Sequence, residues 1–191
     1  VLKEQAQALN EALLKEMQHI QVGPAWKQGV NMGPLVSKSH LDSVLSYIRI
    51  GKEEGTRLIT GGEALTGEEF SEGCYMTPAL FDQVTPGMRL AKEEIFGPVL
   101  SVIAVEDEQE ALEAANAVEY GLAAAVFTDR LSSAYRFAEQ LESGMVHINH
   151  GTASAAHMPF GGVKQSGFGA YSIGSTNQEF FTEMKVVYYQ Y

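Results

Sequence analysis

Apolar positions along this chain follow two different rhythms. Over residues 2–20, Leu2, Ala6, Leu9, Leu13, Met17 and Ile20 recur three or four apart, which puts them on one face of a helix that Gly23 and Pro24 stop. A second helix is predicted from an N-cap at Ser37 or Ser39, with Leu41, Val44, Leu45 and Ile48 on one stripe. Gly51 weakens its last turn and Gly55 ends it. The short apolar run Leu58 and Ile59 leads into a turn at Gly61 and Gly62, and the acidic stretch 66–73 reads as a surface loop.

From residue 98 the pattern becomes regular. Residues 99–105 form a β-branched apolar run, Asp107 caps a helix carrying Ala111, Leu112, Ala115 and Val118, and Gly121 ends it. Residues 122–127 are continuously apolar. Asp129 then starts a helix with Ala134, Phe137, Ala138 and Leu141 at helical spacing, closed by Gly144, and 145–149 is a third strand. Strand, helix, strand, helix, strand with short connections predicts an α/β fold with a parallel sheet and right-handed crossovers. Ligands in such sheets sit beyond the carboxyl ends of the strands, where residues 150–170 form a long segment rich in Gly, Ala and Ser. A weakly periodic turn or helix over 175–181 precedes a final strand, 185–191, heavy in Val and Tyr, that wants a sheet edge to join.

Composition narrows the class. Of 191 residues, 45% are apolar and 19% charged, which is a globular balance and not a disordered one. No apolar run approaches the roughly 20 residues needed to cross a bilayer, so no membrane partner is expected. A formal net charge of −11 argues against nucleic acid, whose nonspecific binding runs on clustered positive charge. A single cysteine excludes an internal disulfide framework and fits a reducing, cytoplasmic setting. No repeat, low-complexity tract or long linker interrupts the chain. Val1 enters a helical pattern directly with no initiator Met, so the expectation is that 191 residues are part of a longer protein.

Few residues offer chemistry of their own. Cys74, at the start of a predicted strand, has no neighbouring His or Lys to lower its thiol pKa and reads as a small half-buried residue. His147, His150 and His157 invite a metal reading. Strand alternation, however, puts His147 and Asn149 on one face and His150 on the other, and no further ligand stands at zinc spacing, so no metal is expected. The glycines of Phe160-Gly161-Gly162-Val163-Lys164-Gln165-Ser166-Gly167-Phe168-Gly169 fit neither phosphate-loop pattern, because Phe168 stands where the Walker lysine belongs and Ser172 where the dinucleotide pattern needs Gly. They read instead as a loop folded tightly against a pocket wall, with Lys164 fixing it. Lys92-Glu93-Glu94-Ile95-Phe96-Gly97-Pro98 holds a carboxylate and an aromatic ring on a rigid bend. On the residues alone, the plainer reading there is a solvated acidic helix end followed by a core phenylalanine.

Four ordered segments change that balance. Asn31-Met32-Gly33-Pro34-Leu35, residues 92–98, Tyr120-Gly121-Leu122-Ala123-Ala124-Ala125-Val126-Phe127, and Pro159-Phe160-Gly161-Gly162-Val163-Lys164-Gln165-Ser166-Gly167 strongly resemble the C-terminal part of the NAD(P)-dependent aldehyde dehydrogenase superfamily. The resemblance covers about residues 1–191 and implies that fold's parallel-sheet catalytic domain. On this reading 1–170 is the C-terminal portion of the catalytic domain, and 171–191 is a tail with an oligomerisation strand.

In that family a cysteine thiolate attacks the aldehyde, hydride passes to the nicotinamide, and a glutamate-activated water releases the carboxylic acid. The nucleophile lies in a Gly-Gln-x-Cys-type segment and the usual general base in a Glu-Leu-Gly-Gly segment. Neither occurs here, so both are expected upstream of Val1 and no catalytic residue is assigned within the chain. By resemblance, Glu94 matches the glutamate that bonds the nicotinamide ribose of NAD or NADP, and Phe96 the ring beside the nicotinamide. His40 matches the start of a helix leaning on the same ribose, while Ser43 departs from the family's basic residue. Asn149, Thr152, Ser154 and Phe160 match the wall of the aldehyde tunnel. The small residues 151–155 imply a roomy or polar mouth, suited to a small aldehyde with a polar tail. Ala170 and Tyr171 stand where Arg-Glu is usual. The tail implies a homo-oligomer. Two other readings stay open: a non-catalytic oligomerisation or binding module on the same fold, and an acyl-transfer or reductase relative.

Overall fold

The computed structural model describes all residues, 1–191, and divides them into two compact units, Val1–Ala111 and Leu112–Tyr191. No helix is long and apolar enough to cross a membrane.

The first unit is built on a three-stranded sheet. β1 (Arg57–Thr60) runs antiparallel to β2 (Ala79–Asp82), and β2 pairs in parallel with β3 (Val99–Ser101). Every residue of the central β2 is buried, and Phe81 joins Ile48, Ala79, Val84 and Leu90 in the core. Helix α1 (Lys3–Met17) and helix α2 (Lys38–Glu53) contribute unequally. In α2 the predicted stripe turns Val44 and Ile48 inward, and Ser37 caps the first turn by accepting the His40 N–H at 3.2 Å. Gly51 does more than weaken the last turn. A Cβ there would stand 2.5 Å from Leu90 Cδ1 and 3.1 Å from the Phe81 ring, so its absence lets the helix approach the core.

In α1 no residue is fully buried, and Leu9, predicted inside, is exposed. Asn10 takes the inward position and donates to Asp82 at 3.1 Å. That contact has a reason: Asp82 is a buried carboxylate in β2, and Arg57 on β1 together with Asn10 compensates its charge. The chain start is tied to the strand end, with Leu2 bridging Val105 in parallel and the terminal amine donating to the Ile103 carbonyl at 3.0 Å.

The second unit carries a βαβ pattern of the kind read from the sequence. β4 (Tyr120–Gly121) precedes β5 (Ala123–Val126), which pairs in parallel with β6 (Met145–Ile148) across helix α5 (Leu131–Gln140). β7 (Val163–Lys164) returns antiparallel to β4. The short helix α3 (Arg89–Lys92) lies in the first unit, while α4 (Glu108–Asn116) runs from the first unit into the second. Asp107 caps α4 as predicted, accepting the Glu110 N–H at 2.9 Å. The helix stops at Asn116 and not at Gly121, which is already in β4. Likewise Arg130 and not Asp129 stands at the start of α5.

Two expectations are revised in scale. The run 99–105 is a strand only to Ser101 before the Val105 bridge, and its parallel partner is β2. The tail forms a 3-10 turn over Gly174–Thr176 and a helix α6 (Asn177–Phe181), and 182–191 follow with no strand within the chain.

Candidate functional site

The bend after α3 separates two adjacent glutamates into two jobs. Glu93 turns inward to the protein: Arg89 donates to it at 2.6 and 2.8 Å, and the Tyr47 hydroxyl donates at 2.7 Å. Hydrogen bonds from Arg89, then from Tyr47, hold its carboxyl at about 2, far below the ordinary glutamate value. The Tyr47 hydroxyl is pushed up, chiefly by its bond to Glu93. Glu94, one residue on, is exposed and makes no bond to the chain.

Phe96 then adopts a left-handed backbone, φ 57°, and its ring is 75% exposed, so it is not the core phenylalanine of the plainer reading. What holds so costly a conformation is visible on both sides. The Phe96 carbonyl accepts the His40 Nε2–H at 2.8 Å, and Gly97 lies so close to α2 that a Cβ would meet Val44 Cγ2 at 2.6 Å. His40, Glu94 and Phe96 are therefore brought together in the first unit, with His40 acting on the Phe96 backbone. Glu94, Ile95, Phe96 and Gly97 line an open cleft of about 460 Å³.

The residues expected to wall a substrate tunnel gather at the end of β6. Asn149, φ 53°, spends its amide on one residue, donating to the Thr128 carbonyl at 2.8 Å and accepting the Thr128 N–H at 2.8 Å. It clamps the loop to the end of β5. Thr152 and Ser154 are exposed, and Ser154 and Phe160 line a cleft of about 570 Å³. Because Asn149 is left-handed, strand alternation stops before His150. The His147 and His150 rings consequently stack 5.7 Å apart, correcting the expectation that they face opposite ways. No group of three or more His, Cys, Asp or Glu side chains is positioned to hold a metal. Cys74 is half-buried at an isolated bridge to Leu35.

The glycine-rich segment is a staple for this loop. A Cβ on Gly161 would stand 2.1 Å from the Tyr171 ring, and one on Gly144 only 2.0 Å from the Gly161 carbonyl oxygen. Ser166 Oγ accepts the Gly121 N–H at 3.0 Å. Lys164 donates to the carbonyls of Asn116 at 2.7 Å and Val118 at 3.0 Å, and pairs with Glu142 at 2.6 Å. Its charge thus sits on the orphan carbonyls that end α4.

Comparison with known proteins bears on the family and the fold. The model of the aldehyde dehydrogenase family matches residues 1–187. The chain belongs to the aldehyde dehydrogenase family. It is 42% identical over 179 residues to an alpha-ketoglutaric semialdehyde dehydrogenase of Bacillus subtilis, covering 93% of this chain and 37% of that protein. Crystal structures of a betaine aldehyde dehydrogenase from Staphylococcus aureus superpose with a TM-score of 0.89 at 34% identity, over 95% of this chain and 36% of theirs in a complex with NAD+. The chain thus spans little more than a third of these relatives. The α/β aldehyde dehydrogenase fold with parallel strands, expected from the sequence, is the one observed.

Two residues of the cleft beside β6 were given no place in a tunnel wall by the sequence reading. His147 and Tyr171 line it beside Ser154 and Phe160. The signal for Tyr171 was its departure from the family's usual Arg-Glu. For His147 there was none, since a strand histidine looks the same whether or not a loop folds back over it.

Proposed function

We propose that this chain is the C-terminal part of an enzyme that oxidises an aldehyde to a carboxylic acid with NAD or NADP. The observation that carries the reading is the turn from Glu94 to Gly97, an unpartnered carboxylate and an exposed ring on a backbone locked by His40 and Val44. The fit to the cofactor is chemical. A carboxylate with free lone pairs accepts from a ribose diol, and an exposed aromatic ring bounds a planar heterocycle. NAD(P), when bound, supplies the hydride acceptor. Glu94 then holds its ribose, Phe96 limits where the nicotinamide lies, and His40 keeps the turn in shape. Thr152, Ser154 and Phe160 wall the aldehyde side, and Asn149 anchors that wall to β5. The nucleophilic cysteine and the general-base glutamate come from the rest of the enzyme, so the 191 residues alone are inactive.

The small residues 151–155 favour an aldehyde with a polar tail, and the name of the Bacillus subtilis relative, a semialdehyde dehydrogenase, supports this. Residues 1–170 belong to the catalytic domain, and 171–191 serve a homo-oligomer through the terminal segment of a cytoplasmic enzyme. The second reading, a non-catalytic oligomerisation or binding module, draws on the absence of both catalytic motifs from these residues.

Kinetics of the full-length enzyme test the first reading. Glu94→Gln should raise KM for the preferred cofactor or lower kcat by about tenfold, the scale of a hydrogen bond to a charged group, with the melting temperature unchanged. Unaltered cofactor kinetics would remove Glu94 from the site. Aldehyde oxidation by the isolated chain would overturn the division of labour.

A further inference from the structure

Helix α2 meets the turn from Glu93 to Gly97 at three places. His40, Val44 and Tyr47 stand four and three residues apart, so they share one face of the helix. His40 holds the Phe96 carbonyl, and Val44 abuts Gly97. Tyr47 has no part in the proposed function, yet its hydroxyl donates to Glu93 Oε2 at 2.7 Å. The same oxygen accepts from Arg89 Nη2 at 2.8 Å, and Glu93 Oε1 accepts from Arg89 Nε at 2.6 Å. One carboxylate thus takes three donors from two side chains.

The donors are themselves fixed. The Arg89 backbone N–H donates to both carboxylate oxygens of Glu54, each at 3.1 Å, and its guanidinium lies over the Tyr47 ring, 5.5 Å from the centroid. Stability alone gives this arrangement little reason, since an ion pair so open to solvent contributes little to folding. What it controls is direction. Glu93 is extended, φ −98° and ψ 142°, and successive side chains on an extended backbone point to opposite sides. Glu93 and Ile95 are accordingly half-buried, Ile95 against the core, while Glu94 and Phe96 are exposed. Seating Glu93 on Tyr47 and Arg89 turns Glu94 outward. A carboxylate already aimed loses less freedom when it accepts a ligand's hydroxyls.

We propose that Tyr47 and Arg89 are positioning residues for the cofactor, which through Glu93 set the aim of Glu94 at the ribose beside the nicotinamide. Their effect runs through the two glutamates and requires no contact of their own with the cofactor. The inference rests on the dehydrogenase reading and adds two residues to the working of its cofactor side.

The test is cofactor binding to the full-length enzyme, measured by calorimetry. The probes are NAD+ or NADP+, whichever binds more tightly, and its adenosine diphosphate half, which lacks the nicotinamide ribose. Tyr47→Phe keeps the ring and removes one donor. It should weaken the dinucleotide by about threefold to fivefold, the scale of one hydrogen bond, and leave the half-cofactor unchanged. Arg89→Leu should weaken it further, toward the loss in Glu94→Gln, and Arg89→Lys should recover part. Because both residues act through Glu94, Tyr47→Phe should add nothing in a Glu94→Gln background, whereas a general loosening of the fold would add. Equal losses for the dinucleotide and its half, or additive losses with Glu94→Gln, sink the inference and leave the dehydrogenase reading standing. Undiminished binding by Tyr47→Phe or by Arg89→Leu removes that residue from the role. Wild type that binds neither dinucleotide, or Glu94→Gln that binds like wild type, sinks the cofactor contact of the dehydrogenase reading and this inference with it.

Discussion

A missing methyl group decides where Tyr171 lies. Gly161 leaves room for the aromatic ring, and a Cβ there would overlap it at 2.1 Å, far inside any van der Waals contact. Gly161→Ala should therefore destabilise the protein by about 1–3 kcal/mol, the usual cost of overpacking, as read from a urea unfolding midpoint. Pairing it with Tyr171→Ala should recover part of the loss, because the clash has one named partner. An unshifted midpoint in the single variant would mean that the loop moves aside freely. Glu93 gives a second residue-scale expectation. Its carboxyl lies at about 2 when folded, against an ordinary value of 4.5. A depressed acid contributes stability above its unfolded pKa and loses it as the pH falls toward the folded one. Between pH 4.5 and 2 the wild type should accordingly lose stability more steeply than Glu93→Gln, by a small amount because the pair is open to solvent. Parallel acid slopes would detach Glu93 from the stability of the bend.

At the scale of elements, Lys164 joins three pieces of the second unit. Its ammonium reaches two carbonyls beyond or at the end of α4 and the carboxylate of Glu142, all through one side chain on β7. Lys164→Met keeps the stem and deletes the donors, so it should cost about 1–3 kcal/mol and speed amide exchange in β4 and β7. Unchanged exchange would reduce Lys164 to a surface charge. The legibility of the elements follows the range of the forces that make them. The βαβ unit of β5, α5 and β6 could be read in advance, because apolar runs, helical spacing and a closing glycine are all local signals. The partner of β3 could not, since an apolar run reports that a strand is buried but not which strand lies beside it. Leu9 and Asn10 show the same limit inside a helix: periodicity favoured the leucine, and the buried Asp82 in a distant strand decided for the asparagine. The site divides likewise. Glu94 and Phe96 are candidates through a motif, whereas the His147–His150 stack depends on the backbone sign of Asn149, which no spacing rule encodes.

For the whole molecule the tail poses the largest unmet demand. Met184 is 95% exposed, and Tyr188 and Tyr189 are 93% and 78% exposed, in a segment with no strand partner within the chain. Val and Tyr have high β-propensity because they pack on a pleated, half-buried surface, so a segment with this composition is stable once it finds an edge. Isolated exposed apolar residues are ordinary, but a continuous stretch of them is the pattern of an interaction surface. Net charge opposes indiscriminate clumping, since −11 on each chain repels like copies unless a specific pairing repays it. The proposal of a homo-oligomer therefore makes a joint prediction. The full-length enzyme should assemble by light scattering, amides of 182–191 should exchange slowly in the assembly, and deletion of 182–191 should lower the mass while leaving the far-ultraviolet circular dichroism in place. Tail amides that exchange in the assembled enzyme as fast as those of a free peptide would show that the subunits meet elsewhere, and the apolar tail would then need a different partner.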